Sequence, residues 1–134
     1  MATVHKAMLL ATVLLLGGLV ACGSGGTEGS PTGVSDEESI RDVVEQSFDA
    51  LRTLDDERFQ GYACEAKRQP VSSSRESSPF DEVFLGLRLQ SVDDIRVDGA
   101  KASAQTRHYS VDEPDDILSD SIDLVREGGA WKVC

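Results

Sequence analysis

The sequence predicts an α+β domain, helices first and an antiparallel sheet after, on three observations. A helix-start signal at Ser35-Asp36-Glu37-Glu38 precedes apolar residues at helical spacing. Beyond Leu87 the apolar period changes to two. Two tight-turn signals, Asp98-Gly99 and Gly128-Gly129, then divide the alternating segments. Helices followed by a meander of strands pack in two layers, with the helices on one face of the sheet.

Each element has its own reason. Ser35 is the expected N-cap and Glu38 reaches back to it, so two free backbone donors are satisfied together. Ile40, Val43, Val44, Ser47, Phe48 and Leu51 follow one helical face, with Arg41, Asp42, Glu45 and Asp49 off it. This helix should end near Thr53-Leu54. Asp55-Asp56 caps a second, shorter helix, on which Phe59, Tyr62 and Ala63 share a face and Cys64 lies at its edge. Gln69-Pro70 and Ser72-Ser73-Ser74 break the chain into a loop. Ser78-Pro79 opens a third helical turn, since proline suits the first helical position, and Phe80, Val83, Phe84 and Leu87 fall on one stripe.

In the first strand Leu87, Leu89, Ile95 and Val97 share a parity that Ser91-Val92-Asp93 interrupts, as a bulge would. After the turn, Ala100, Ala102, Ala104, Thr106 and His108 alternate against Lys101, Ser103, Gln105, Arg107 and Tyr109. Asp112 to Asp116 reads as a loop, Leu118 to Arg126 as a third strand and Ala130 to Cys134 as the last.

Ahead of this domain lies a different kind of sequence. Lys6 is followed by an uncharged run, Ala7 to Val20, that closes on Leu19-Val20-Ala21-Cys22. A cationic start, an apolar middle and a small residue before the boundary have the order of a secretory signal. The run is shorter than the roughly 20 apolar residues a bilayer-spanning helix needs. Leu-x-Ala-Cys resembles the lipobox of bacterial lipoproteins. That resemblance implies a leader over 1–21, cleavage after Ala21 and a diacylglyceryl group on Cys22, which becomes the mature N-terminus. It further implies a protein anchored in the cell membrane, on its extracytoplasmic side, with membrane lipid as a partner. Two acyl chains hold where one holds only marginally. Residues 22–34 are rich in glycine, serine and proline and read as a flexible tether with a reach of roughly 20 Å.

What remains, 35–134, has the size of one small domain. The formal charge is −11, and removing the leader, which carries Lys6 and no acid, takes it to −12. Such a surface repels phosphate backbones and argues against nucleic acid as a partner. With Cys22 lipidated, Cys64 and Cys134 remain as an even pair, and in an exported protein such a pair reads as a disulfide. Trp131 reads as core. Alternation sets Trp131 and Val133 on one face and Lys132 and Cys134 on the other, so the chain end is expected to twist for Cys134 to reach a helix.

A long first helix, a short second one bearing a cysteine, Val97-Asp98-Gly99 and a closing Gly-Gly-Ala-Trp-Lys-Val-Cys together have a further resemblance. They look like the nuclear-transport-factor-2-like (cystatin-like) domains of actinobacterial lipoproteins, over about Ser35 to Cys134. The resemblance implies a curved sheet wrapped on helices, often with a cone-shaped cavity, and many members without catalytic activity.

Few residues offer chemistry. His108 shares the inward parity with Ala102, Ala104 and Thr106 near the far end of its strand, so it, Thr106 and Tyr62 are the candidate cavity-lining groups. Proton-shifting enzymes of this fold need a carboxylate in an apolar pocket beside a tyrosine or acid donor. Here Asp93, Asp94, Asp98, Asp112, Asp115 and Asp116 all fall at expected bulges or turns, and no catalytic residue is assigned. No metal or cofactor is expected: His108 is the one histidine after the leader, there is no Cys-x-x-Cys, and the acidic loop lacks the glycine and final glutamate of an EF-hand. The expectation is a non-catalytic module for a small apolar ligand or an envelope protein. The alternative is a small hydrolase or isomerase working in the cone-shaped cavity.

Overall fold

A computed structural model describes residues 34–72 and 74–134. The leader, Cys22 and the tether as far as Gly33 lie outside the described residues. The order is α1 (Asp36–Arg52), α2 (Asp56–Tyr62), a single 3-10 turn (Glu65–Lys67) and α3 (Asp81–Gly86). The strands β1 (Leu87–Asp98), β2 (Lys101–Ser110), β3 (Glu113–Glu127) and β4 (Ala130–Val133) follow. The strands form one antiparallel open sheet in the order β1-β2-β3-β4, with the helices packed against it. The architecture is α+β.

α1 starts as its sequence requires. The Ser35 hydroxyl accepts from the Glu38 N–H, and the Glu38 carboxylate accepts from the Ser35 N–H. Ile40, Val43, Val44, Ser47 and Ala50 are buried on its sheet side. Ile40, Val43 and Val44 form one cluster with Val92, Ala102, Ala104, Leu124 and Trp131, and Phe48, Tyr62, Leu89, Ile95, Ile122 and Val133 pack around it. Each large apolar side chain so buried contributes about 1.5–3 kcal/mol. Leu54 takes a left-handed φ of 56°, which stops α1 and lets Asp55 cap α2 by accepting from the Arg58 N–H at 3.0 Å.

Four sequence expectations are corrected. First, the stripe foreseen on α3 is only half covered: Phe80 is 65% and Val83 60% exposed, while Phe84 and Leu87 are partly buried. Polar pins hold this six-residue helix instead. Asp81 accepts from the Ser78 N–H and from Arg75, which also reaches Asp56 at 2.8 Å. At its other end Gly86 is buried so close to Ser110 that a Cβ would stand 3.2 Å from the hydroxyl.

Second, β1 has two irregularities, between Leu89 and Ser91 and between Asp93 and Arg96, rather than one. Asp94 turns left-handed at φ 47° in the second. The first offset brings Val92 into the core opposite Thr106, and the second returns Val97 to its place opposite Ala102. Third, the expected loop at Asp112 to Asp116 is a turn at Val111-Asp112, and β3 already begins at Glu113. Pro114 to Ile117 are left without partners on β2, because Ser110 pairs with Glu113 and His108 with Leu118.

Fourth, Cys134 reaches Cys64 without a twist of the chain end. The chain at Ala63 runs parallel to Val133, and the Cys64 N–H donates to the Val133 carbonyl at 2.8 Å. The two cysteines thus lie side by side, with Cα atoms 5.2 Å apart and sulfurs at bonding distance, 2.08 Å.

Candidate functional site

Because α1 crosses the sheet with its first turn near the β3–β4 hairpin, its last turns fall over the start of β1. Asp36 anchors the first end, accepting from the Trp131 Nε1–H at 3.2 Å and from Arg126. Arg126 in turn lies over the Trp131 ring at 4.5 Å, a cation–π contact. At the other end α1 and β1 diverge, and an open groove of about 400 Å³ lies between them. Phe48, Leu87 and Leu89 give it apolar walls, while Glu45, Asp49, Arg52, Arg88, Gln90 and Ser91 supply its polar lining.

The polar side is tied down. Asp49 receives Arg52 at 2.5 Å and Arg58 at 2.6 Å. Hydrogen bonds from Arg52, and then from Arg58, hold its carboxyl below the usual carboxylate range. Arg58 is held more firmly protonated than a free arginine, first through its hydrogen bond to Tyr62 and then through Asp49. Arg88 donates to the carbonyls of Leu85 and Leu87, which fixes the start of β1.

His108 sits beside this groove. It pairs across the sheet with Leu89, and the Phe48 ring stands 5.9 Å from the imidazole, centroid to centroid. Its side chain is only 12% exposed. Nε2 faces the Asp120 carboxylate at 3.5 Å, while Nδ1 is buried and unpartnered. Asp120 itself is 68% exposed. An acid–base imidazole needs one nitrogen within reach of a substrate proton. Here one nitrogen is enclosed and the other meets a solvated carboxylate. The pair links β2 to β3 across the sheet.

The other two candidates are elsewhere. Thr106 is completely buried at the sheet centre and donates through its hydroxyl to the Asp120 carbonyl at 3.2 Å. Tyr62 packs against the core from α2 and meets Arg58. Neither lines the groove. Thr106 and His108 share the inward face as their parity implies, but Tyr62 does not join them at one site.

Sequence reasoning missed the groove, Asp120 as the neighbour of His108, and the Asp36–Arg126–Trp131 cluster. Among the described residues, no group of three or more His, Cys, Asp or Glu side chains converges to hold a metal ion. No protein-family model matches the chain, and no curated protein matches it.

Proposed function

We propose that this protein is a lipoprotein anchored through Cys22 on the extracytoplasmic side of the cell membrane. Its domain, of the nuclear-transport-factor-2-like type, is a non-catalytic binding module for a small apolar ligand or an envelope protein. The groove between α1 and β1 carries the binding part of this reading. Its walls of Phe48, Leu87 and Leu89 suit a largely apolar occupant, and on its rim Asp49 is already engaged by Arg52 and Arg58. The lipobox-like Leu19-Val20-Ala21-Cys22 supports the anchor.

The cone of the related domains would open above Ala102 and Ala104. In this chain Ile40, Val44 and Leu124 pack there in one cluster, with Phe48 against it. A hydrolase or isomerase would need a catalytic group facing a cavity, and His108 is not among the residues that line the groove.

Two measurements test the two parts. Fatty-acid labelling in cells should mark the parent protein and leave Cys22→Ala unmarked; continued labelling of the variant would refute the anchor. Native mass spectrometry of the detergent-extracted protein should show a retained small molecule that Ser91→Trp, which plugs the groove from its rim, expels. An identical retained mass in the plugged variant would place binding elsewhere.

A further inference from the structure

The outer edge of β3 is long, regular and open. β3 runs 15 residues, but β4 pairs only with Leu124 to Glu127, and the Cys134 N–H adds one bond to the Asp123 carbonyl at 2.7 Å. Between Leu118 and Val125 the register against β2 is unbroken, so the hydrogen-bonding direction alternates without a slip. Asp123 points to the β4 side, whereas the Arg126 N–H points to β2, donating to the Ala100 carbonyl at 2.8 Å. By that alternation Ser119 and Ser121 aim their N–H and C=O groups away from the sheet. Leu118 to Ser121 are exposed, and among the described residues no backbone hydrogen bond is made on this side of Glu113 to Ile122.

The edge also has a charge. From Glu113 to Asp123 it carries Glu113, Asp115, Asp116, Asp120 and Asp123 and no basic residue. A second copy of the same strand would set carboxylates against carboxylates, which is unfavourable between paired strands. An extended segment with lysine or arginine on it would meet opposite charge. On the helix side the added strand would find Leu118, 53% exposed, and Ile122 flanking Asp120. The free edge of β1 offers no equal template, since its two bulges break the spacing of its donors.

We infer that the Leu118–Ile122 edge of β3 docks an extended basic peptide segment of a partner protein, which joins the sheet as an added strand in line with β4. Backbone bonds to Ser119 and Ser121 supply the affinity and the carboxylates supply the selection. This deepens the binding-module reading and is independent of the groove and of the lipid anchor.

The test uses the full chain in detergent and a fluorescent hexapeptide of alternating lysine and valine, followed by anisotropy. The lysine peptide should bind saturably, more weakly as salt rises, and a glutamate–valine counterpart should not bind. Ser121→Pro removes one outward N–H while leaving the bonds to β2 intact, a position where an edge strand tolerates proline. It should weaken binding about tenfold without moving the melting temperature. On the unaltered protein, a lysine peptide N-methylated at alternate residues should lose binding, whether or not the proline variant folds. Equal affinity of the N-methylated peptide would show plain charge attraction and overturn strand addition. Absence of binding by the lysine peptide would overturn the docking site itself, leaving the carboxylates to blunt the edge. Neither result would touch the fatty-acid labelling or the groove experiment.

Discussion

Breaking the link between Cys64 and Cys134 should be the most damaging single change at the chain end. The two residues are 70 apart in sequence, so the cross-link closes a long loop in the unfolded chain. Chain-entropy arithmetic for a loop of that length gives about 4 kcal/mol, an upper figure. Domains of this size are stable by only about 5–15 kcal/mol in total. Cys134→Ser is the cleaner perturbation. Cys64 is fully buried, and a hydroxyl there would add a desolvation penalty, whereas Cys134 is half-buried. For a domain of about 100 residues each 1 kcal/mol shifts the midpoint by about 4–8 °C, so a loss of 3–4 kcal/mol should lower it by about 12–30 °C.

Calorimetry of parent and variant measures the shift. Alkylation of the unreduced parent, followed by mass analysis, should find neither Cys64 nor Cys134 modified. A midpoint within about 3 °C of the parent, or two alkylated thiols in the native protein, would refute the reasoning. The effect should concentrate on β4. Without the link, that four-residue strand keeps its pairing with β3, the Cys64–Val133 backbone bond, and Trp131 in the core.

Ala104→Leu tests whether the interior is filled: Ala104 is buried against the α1 residues, so the larger side chain should destabilise by about 1–3 kcal/mol in urea melts. An unchanged or raised midpoint would instead reveal room for a cavity. Acid should weaken the α1–α2 joint through Asp49. Its folded carboxyl lies below its ordinary 3.8, so the stability it contributes is complete above that value and drains as the pH falls through the lower, folded one. Asp49→Asn should therefore lose less stability than the parent between about pH 5 and pH 2 in thermal melts; parallel curves would contradict this.

The helices were legible because their causes are local. The capping box, the apolar stripe of α1 and the Asp55 cap involve residues at most a few positions apart, and each appears where the chemistry places it. The two-residue turns after Asp98 and Glu127 were legible for the same reason. What stayed hidden depends on strand register. An uninterrupted hairpin closing on Ser110 and Glu113 would set His108 opposite Asp115 and Thr106 opposite Ile117. The structure spans two residues on β2 and five on β3 between those pairs and the next, so His108 faces Leu118 and Thr106 faces Asp120. Those three extra residues bring the Asp120 carboxylate to His108. No local signal counts them, although Pro114, which lacks a ladder donor, marks where they begin. Likewise, whether Val92 or its neighbours face the core turns on how many bulges β1 has, and composition cannot number them.

Direction connects the anchor to the binding surfaces. Ser35, where the tether joins, is at the end of α1 that meets Arg126 and Trp131. The groove lies at the other end of the helix, and a helix of 17 residues spans about 25 Å. On the proposed anchoring, a tether reaching roughly 20 Å sets Ser35 clear of the headgroups. The formal charge of −12 after cleavage keeps the domain from lying down on anionic lipid. The start of β3, with Glu113, Asp115 and Asp116, is at that same distal end, because Ser110 and Glu113 close the hairpin beside α3.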